Sequence, residues 1–369
     1  MPTGHDAEGM RMATDLTRRA DQVVHGDLAV ADMCRELDGI LRVHVPYAAA
    51  AWSTHDPATG LSTACTLTGI PEDPARESAI FRHEFDPEEP STYFDLIRDG
   101  RTVAVLSVET DGDLSRAGRW RDVFSNFGVS DELRAILWSQ GQAWGSISLY
   151  RMGTTFTPDE AATVAALSPT VADGIRLGLL RAAATRPEAV EDPPGIVSVD
   201  RDGAVTPLTE PARGWLVTGG PALVNAARSA ASAVQARADW AGATSRLVTD
   251  DGRVLVLHAS STTDDGHGVA VIVEAARPAQ VGALLVDAYG LTARQRDVLG
   301  LLLLGRSMIQ VARALDISEH TANDHRKAIY QRVGVSSRSE LAALLQSEHY
   351  DPQARVGATP SPYGFFLPR

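Results

Sequence analysis

The sequence predicts an α+β protein of several domains: a sheet domain covered by helices on one side, a five-stranded middle domain, and an all-α bundle of four short helices at the carboxyl end. Capping boxes, the residue pairs that begin helices, recur near the carboxyl end. Earlier in the chain, turn residues lie between paired apolar segments, the pattern of β-hairpins. A segment rich in proline and acid separates the first two parts. A length of 369 residues predicts two or three domains, at about 150 residues each.

The first predicted element is a helix whose apolar side chains recur at the helical period. These side chains are Val30, Met33, Cys34, Leu37 and Leu41. Residues 1–15 lack such a pattern, and we expect them to be disordered. Residues 47–53 and 61–68 form a predicted hairpin, because turn-forming residues from Asp56 to Gly60 lie between them.

A polar segment, residues 71–92, follows the first hairpin. It contains an acidic cluster that we interpret as a solvent-exposed face, formed by Glu84, Asp86, Glu88 and Glu89. A strand is predicted at 101–108 and a short helix at 116–126. Residues 132–139 and 144–150 form a second predicted hairpin across a glutamine-glycine turn.

Two tryptophans of the second hairpin, Trp138 and Trp144, are candidate ligand contacts. Aromatic residues at cross-strand spacing usually stabilise the sheet by packing, so we favour packing and keep a ligand pocket as the alternative.

The helix that follows begins with a capping box. Thr157 is placed to cap it, Pro158 suits its first position and Glu160 completes the box, so a helix is predicted to about residue 184. The order of elements from the first helix to this one resembles a GAF domain, a small-molecule sensor module, over residues 16–185. The resemblance implies a small-molecule or protein effector bound by this domain.

Residues 186–195 contain the acid, proline and glycine of a linker. Beyond it, five short strands and an alanine-rich helix at 221–236 are predicted; the strands are 196–199, 204–207, 245–249, 254–260 and 269–274. This pattern resembles a PAS-like domain over residues 196–278. A connector helix is predicted at 280–290.

Three capping boxes place helix starts within residues 291–347. The pairs are Thr292 with Gln295, Ser307 with Gln310, and Ser337 with Glu340. Ser318 is a further cap, while Gly305 and Gly334 lie where two helices should end. Each helix has one apolar face, so the four helices should bury those faces against one another. Residues 350–369 are predicted to be a flexible tail.

The second and third of these helices are separated only by Asp316 and Ile317, a spacing typical of helix-turn-helix units. In such units the second helix of the pair enters the major groove of DNA. Residues 291–347 carry eight basic and five acidic side chains, a net charge of +3, although the whole chain carries −13. Double-stranded DNA is therefore the predicted partner.

Many residues at fixed spacings in this region together resemble the LuxR-type (NarL/FixJ) DNA-binding domain. They are Leu291, Thr292, Ala293, Arg294, Val298, Leu299, Gly305, Ala312, Leu315, Ile317, Ser318, Thr321, His325, Ile329, Gly334, Val335 and residues 337–341. The resemblance implies base contacts by Asn323, Asp324 and Lys327, and a phosphate contact by Thr321. The outward side chains that we also assign to the phosphates or the groove are His320, Arg326, Tyr330 and Arg306. The resemblance also implies a dimer interface on the fourth helix, at Leu341, Leu344 and Leu345.

Motifs of enzymes and metal sites are absent from the sequence. It has no GxxxxGK[ST] phosphate loop and no GxSxG elbow, and His83-Glu84 lacks the second histidine of a zinc protease helix. We therefore expect no catalysis, no cofactor and no metal. No apolar run approaches the roughly 18 residues of a membrane helix, and residues 1–15 lack the apolar core of a signal peptide, so a cytoplasmic protein is expected.

The combined expectation is a sequence-specific transcriptional regulator, controlled by its amino-terminal sensor and dimeric on DNA. The alternative is a sensor protein whose carboxyl-terminal bundle contacts proteins and has little DNA affinity. The modest charge of +3 and the acidic Asp324 favour that alternative.

Overall fold

The computed structural model describes residues 15–184, 192–236, 242–262 and 268–345. The chain divides into two compact units, Met1–Ala275 and Ala276–Arg369. The expectations for residues 1–14, for most of the linker and for the tail at 350–369 lie outside the described residues.

The first unit begins with two helices, α1 (residues 15–24) and α2 (Val30–His44), and continues into a five-stranded sheet. The strands are β1 (Ala49–His55), β2 (Ser62–Thr68), β3 (Val103–Val105), β4 (Val129–Ser139) and β5 (Gln142–Met152). Their order across the sheet is β2-β1-β5-β4-β3, and every neighbouring pair is antiparallel. Both predicted hairpins are confirmed, with the second one longer than expected.

Five helices accompany this sheet: α3 (Pro74–Glu84), α4 (Tyr93–Arg98), α5 (Leu106–Glu109), α6 (Gly118–Asp122) and α7 (Pro158–Ala184). The capping box at the start of α7 is confirmed, since Thr157 Oγ1 accepts from the Glu160 amide and the Glu160 carboxylate accepts from the Thr157 amide. Helices α3 and α4 were not predicted from the sequence. The strand expected at 101–108 is only three residues long, because the chain turns into α5 at Leu106.

A second five-stranded sheet follows. Its strands are β6 (Gly195–Val199), β7 (Val205–Pro207), β8 (Ala243–Val248), β9 (Val254–Ser261) and β10 (Val269–Ala275). The order β7-β6-β10-β9-β8, again antiparallel throughout, repeats the order of the first sheet. The helix α8 (Glu210–Ala236) packs on this sheet and is longer than predicted. Its backbone departs from helical geometry at Gly220, where φ is 51°.

The two sheets of the first unit share an apolar core. Leu61 and Phe85, from the first sheet region, lie in one buried cluster with Trp215 and Leu223 of α8 and with the inward side chains of the second sheet. Helix α8 packs against both β2 and α3. The two sheets therefore belong to one compact unit. The predicted boundary between residues 185 and 196 stays a prediction.

Up to residue 345, where the described part of the second unit ends, the unit has five helices: α9 (Pro278–Ala288), α10 (Ala293–Leu303), α11 (Met308–Ala314), α12 (Glu319–Val333) and α13 (Arg338–Leu345). Helix α9, predicted as a connector, packs against α13. The capping boxes at Thr292 and Ser307 are confirmed. At α13 the predicted box differs, because the Glu340 carboxylate accepts from the Ser336 amide while Ser337 caps the Glu340 amide.

Candidate functional site

Helices α11 and α12 form a compact helix-turn-helix. Ser318 caps α12 by accepting from the Thr321 amide at 3.0 Å. The turn before it is closed by Asp316, whose φ of 51° lies in the left-handed region that aspartate tolerates better than most residues. The residues of the turn itself, Asp316 and Ser318, therefore determine where α11 ends and α12 begins. The short turn also restricts the angle between the two helices.

One face of α12 is buried and the opposite face is exposed. Ala322 and Ile329 are fully buried, Val333 is nearly so, and the helix packs against α10 and α11. His325, which follows Ala322 at the helical spacing, is only half-buried. The exposed face is therefore available to a partner along about four turns of helix.

The three predicted base-contact residues differ in their exposure. Asp324 and Lys327 have side chains that are 55% and 68% exposed, and Lys327 Nζ lies 4.0 Å from Asp324 Oδ1. Asn323 is half-buried, and its side-chain amide donates to the Glu319 carbonyl oxygen at 2.9 Å. Asp324 and Lys327 therefore form the accessible polar pair at the centre of the face.

Two of the predicted phosphate or groove contacts lie at the start of α12. The His320 side chain is 87% exposed, and its Nε2 lies 3.4 Å from Asp324 Oδ2. Thr321 is exposed, and its hydroxyl forms a hydrogen bond with the Ser318 hydroxyl at 2.8 Å. The structure thus places His320 and Lys327 on either side of Asp324.

The other three predicted contacts are Arg326, Tyr330 and Arg306. Arg326 is half-buried, and its guanidinium lies over the Tyr330 ring at 5.9 Å from the ring centre. Arg306 is exposed in the segment between α10 and α11. A cation on an aromatic face is attracted by the ring quadrupole, so Tyr330 holds the Arg326 guanidinium in position.

Two of the three leucines that were expected at a dimer interface are buried within the unit itself. Leu341 and Leu345 are 0% and 4% exposed, whereas Leu344 is 43% exposed. Apolar residues at helical spacing indicate that one face of a helix is buried, but they do not identify the surface that covers it. In this structure α13 packs against α9 and α10. Of the three, only Leu344 can meet a second copy in this arrangement.

The interior of the first unit contains charged residues that the sequence analysis missed. The buried charge cluster consists of Glu84, Glu89, Arg119, Glu132 and Arg134. Glu84 and Glu89 had been interpreted as solvent-exposed, and the structure corrects this. Each is buried because an arginine far along the chain neutralises it: Arg134 lies 2.6 Å from Glu84, and Arg119 lies against Glu89.

Glu132 is the centre of the buried charge cluster. Its two carboxylate oxygens accept from Arg119 Nε at 2.7 Å and from Arg134 Nε at 2.9 Å. Burial alone would raise the pKa of this carboxyl, but the two guanidinium charges outweigh that effect and lower the pKa to about 2. The carboxylate therefore stays ionised inside the domain.

Polar side chains extend this cluster over the sheet. Tyr93 on α4 forms a hydrogen bond with Ser148 on β5 at 2.6 Å, and burial raises the pKa of its phenol to about 12. His55 on β1 lies 3.0 Å from Ser146, and burial lowers the pKa of its imidazole to about 4. Both groups are therefore neutral near pH 7.

Trp138 and Trp144, for which packing was favoured over a ligand pocket, both donate hydrogen bonds to backbone carbonyl oxygens. Trp144 is 1% exposed, and its indole donates to the Ser139 carbonyl oxygen at 3.3 Å. The Trp138 indole donates to the Arg101 carbonyl oxygen, and its ring packs against a cluster that includes Leu96. Their polar atoms are already used, as packing residues require.

Within the described ranges, no helix is both long and apolar enough to cross a membrane. In the same part of the chain, no group of three or more histidine, cysteine, aspartate or glutamate side chains is arranged to hold a metal ion.

Comparison with family models finds a match within each unit. Residues 290–345 match the model of bacterial regulatory proteins of the luxR family, and residues 14–175 match the GAF domain model.

Two curated relatives share the carboxyl-terminal region. YhjB of Escherichia coli (strain K12), named for HTH-type transcriptional regulation, is 39% identical over 59 residues, which are 16% of this chain and 30% of that protein. The transcriptional regulatory protein MctR of Rhizobium johnstonii is 41% identical over 51 residues, which are 14% of this chain and 24% of that protein. The chain thus spans less than a third of the length of either relative.

Among solved structures, the chromophore-binding domain of a bacteriophytochrome from R. palustris is 12% identical and covers 50% of this chain and 64% of that one. The TM-score of 0.32 is too low to support a structural conclusion. The family matches and the helix-turn-helix geometry agree with each other. The chain therefore carries a regulatory domain of the luxR family at residues 290–345, preceded by an amino-terminal GAF domain.

Proposed function

We propose that this chain is a sequence-specific DNA-binding transcriptional regulator whose luxR-family domain is controlled by its GAF domain. The observation that carries the proposal is the exposed face of α12, the second helix of the helix-turn-helix. This face presents hydrogen-bond donors and acceptors, and Ser318 caps the start of the helix. A helix of this kind fits the major groove and reads base edges by hydrogen bonds.

In the proposed complex, Asn323, Asp324 and Lys327 meet base edges. The side chains that meet phosphates or line the groove are His320, Thr321, Arg326, Tyr330 and Arg306. Contacts to phosphates position the protein without sequence preference, whereas contacts to base edges select the sequence. Two copies would bind a two-fold operator with half-sites about 34 Å apart.

The sensing part of the proposal assigns an effector to the GAF domain at residues 16–185, either a small molecule or a protein. Residues 196–278 act with it as a PAS-like domain, and the strand order that this sheet shares with the first supports the assignment. We place the regulator in the cytoplasm, where DNA and small effectors are both accessible.

Selection of genomic fragments tests this proposal. The full chain and residues 276–369 are incubated with sheared genomic DNA near physiological salt, and the retained fragments are sequenced. A shared, roughly palindromic sequence recovered by both proteins is the expected result, with stronger recovery by the shorter one if the sensor restrains binding. Equal operator affinity of the two, with or without cell extract, would contradict control by the sensor.

Replacing Lys327 with alanine should weaken binding to the selected operator by roughly 1–3 kcal/mol, because an ammonium on a guanine edge discriminates by about that much. Arg313→Ala is the matched control, because Arg313 is also an exposed cation but lies on α11. Titration of the operator and of an unrelated duplex measures both variants. The Lys327 variant should lose its preference for the operator, and the Arg313 variant should bind both duplexes slightly less well. Similar losses of affinity on both duplexes for Lys327→Ala would show that Lys327 does not contact a base.

Leu344→Glu should weaken pairing of two copies on DNA while leaving the fold intact, because Leu344 is the exposed leucine of α13. Binding to a full operator and to a single half-site is compared by gel shift. A larger loss on the full operator, by about tenfold, is expected for a contact worth about 1.4 kcal/mol. Equal losses on both duplexes would place the dimer contact elsewhere.

A second candidate function is a protein-contacting bundle with little DNA affinity. The carboxylate of Asp324 in the middle of the exposed face favours it, since phosphates repel that charge. Failure of both the full chain and residues 276–369 to enrich any DNA sequence would favour this function.

A further inference from the structure

The proposed recognition face has an acidic residue at its centre, and this residue carries an inference about the operator. Asp324 lies on the exposed face of α12, one turn from Lys327 and one turn from His320. Its carboxylate lies 4.0 Å from the ammonium and 3.4 Å from the imidazole. These groups lower the cost of bringing a negative charge near the phosphates, but they do not explain why an acid is present.

The chemistry of the groove restricts what a carboxylate can bind. An ionised carboxylate only accepts hydrogen bonds. In the major groove, guanine offers two acceptors, thymine an acceptor and a methyl group, and adenine a donor beside an acceptor. Cytosine alone offers a donor without an acceptor, through its N4 amino group. Cytosine is therefore the base whose edge best suits Asp324.

Lys327 has the complementary requirement. An ammonium only donates, and the guanine O6 and N7 atoms are the pair of acceptors that it binds best in the groove. Asn323, the third proposed base contact, uses its amide to donate to the Glu319 carbonyl oxygen. The two charged side chains are thus the accessible ones, and their separation of 4.0 Å suits neighbouring base edges.

We propose that Asp324 and Lys327 together select a cytosine beside a guanine in each half-site, with Asp324 accepting from cytosine N4 and Lys327 donating to guanine O6 and N7. This inference rests on the proposed DNA-binding function and specifies the base sequence that the site prefers. It makes Asp324 a determinant of specificity, although its charge opposes binding to DNA in general.

The substitution Asp324→Asn separates base reading from charge. If Asp324 acts only through its charge, removal of that charge strengthens binding to every duplex. If Asp324 reads cytosine, the variant prefers a different base, because an asparagine amide binds the N6 and N7 atoms of adenine. The two possibilities predict opposite results on the operator of the unaltered chain.

Asp316→Asn is the matched control. Asp316 is also an exposed acid close to the start of α12, but it lies in the turn and not on the recognition face. Asparagine tolerates the left-handed backbone that Asp316 adopts, so the variant should fold normally. It removes the same single charge without altering the proposed base contact.

The experiment uses the full chain and its two variants in parallel selections from a random duplex library at one fixed salt concentration. The unaltered chain and Asp316→Asn should enrich the same sequence, with a cytosine beside a guanine in each half-site. Asp324→Asn should replace that cytosine by adenine. In titrations it should bind the original operator about 5- to 150-fold more weakly and the adenine-substituted operator more tightly than the unaltered chain does.

An unchanged sequence for Asp324→Asn, with equal or tighter binding to all duplexes, would overturn the inference and leave the proposed function standing. Enrichment of no sequence by the unaltered chain would overturn the proposed function, and this inference with it. Far-UV circular dichroism of the three proteins is the folding control. Equal spectra would show that a lost base preference does not result from unfolding.

Discussion

Replacing Asp56 with asparagine is expected to lower the free energy of unfolding by about 3–5 kcal/mol, the usual effect of removing one partner of a buried ion pair. Asp56 follows β1, and Arg246 lies on β8 of the second sheet; both side chains are 0% exposed. The Asp56 carboxylate accepts from Arg246 Nη2 at 2.7 Å, from its Nε at 3.2 Å and from its backbone amide at 2.8 Å. The variant leaves a guanidinium charge inside the protein with a neutral partner.

Urea unfolding, followed by tryptophan fluorescence, measures this effect. Asp32→Asn is the control, because Asp32 and Arg35 form an exposed pair that should contribute less than about 1 kcal/mol. The double variant Asp56→Asn/Arg246→Met should recover most of the lost stability, since it removes both charges. A loss below about 1 kcal/mol for Asp56→Asn would show that water reaches the pair.

The second large effect is expected for Glu132→Gln, at about 3–5 kcal/mol, because the amide leaves Arg119 and Arg134 without the carboxylate between them. The pKa of about 2 in the folded chain lies below the ordinary value of 4.5. A lowered pKa stabilises the fold at pH values above 4.5, and this contribution is lost as the pH falls from 4.5 through 2. Its full size is about 3 kcal/mol, at 1.36 kcal/mol for each pH unit.

Unfolding at a series of pH values between 7 and 2 tests this. The unaltered chain should lose stability more steeply below pH 4.5 than Glu132→Gln, which lacks the titrating group. Glu88→Gln is the control, because Glu88 comes from the same acidic segment but is exposed. Parallel pH profiles for the unaltered chain and Glu132→Gln would show that the Glu132 carboxylate does not control acid stability.

The elements that could be predicted from the sequence are those determined by neighbouring residues. The capping boxes at Thr157, Thr292 and Ser307 each depend on a hydroxyl and a side chain three residues later, so they are visible without the fold. The hairpins depend on turn residues in the same way. The exposed face of α12 could be predicted because Ala322 and Ile329 recur at helical spacing on the opposite, buried face.

The features that could not be predicted depend on contacts between distant residues. Glu84 and Glu89 lie in a polar segment, and their burial follows from arginines 50 and 30 residues further along the chain. The first part of α8 leads into Gly219, Gly220 and Pro221, residues that indicate a turn, and the structure accommodates them through the positive φ of Gly220. For Leu341 and Leu345, the helical spacing predicted that the side chains are buried. It could not tell whether the same copy or a second copy of the chain covers them.

The apolar core that Leu61 and Phe85 share with α8 also limits how the GAF domain can be recombined with other proteins. A chimera joined within residues 186–195 would keep the GAF domain and discard the second sheet, exposing these two side chains and leaving Asp56 without its arginine. Gene fusions that move the two sheets as a pair, with the joint close to Ala275, preserve every one of those contacts. The part to transfer in such a fusion is therefore the first compact unit, residues 1–275, and not only residues 14–175, which match the GAF model.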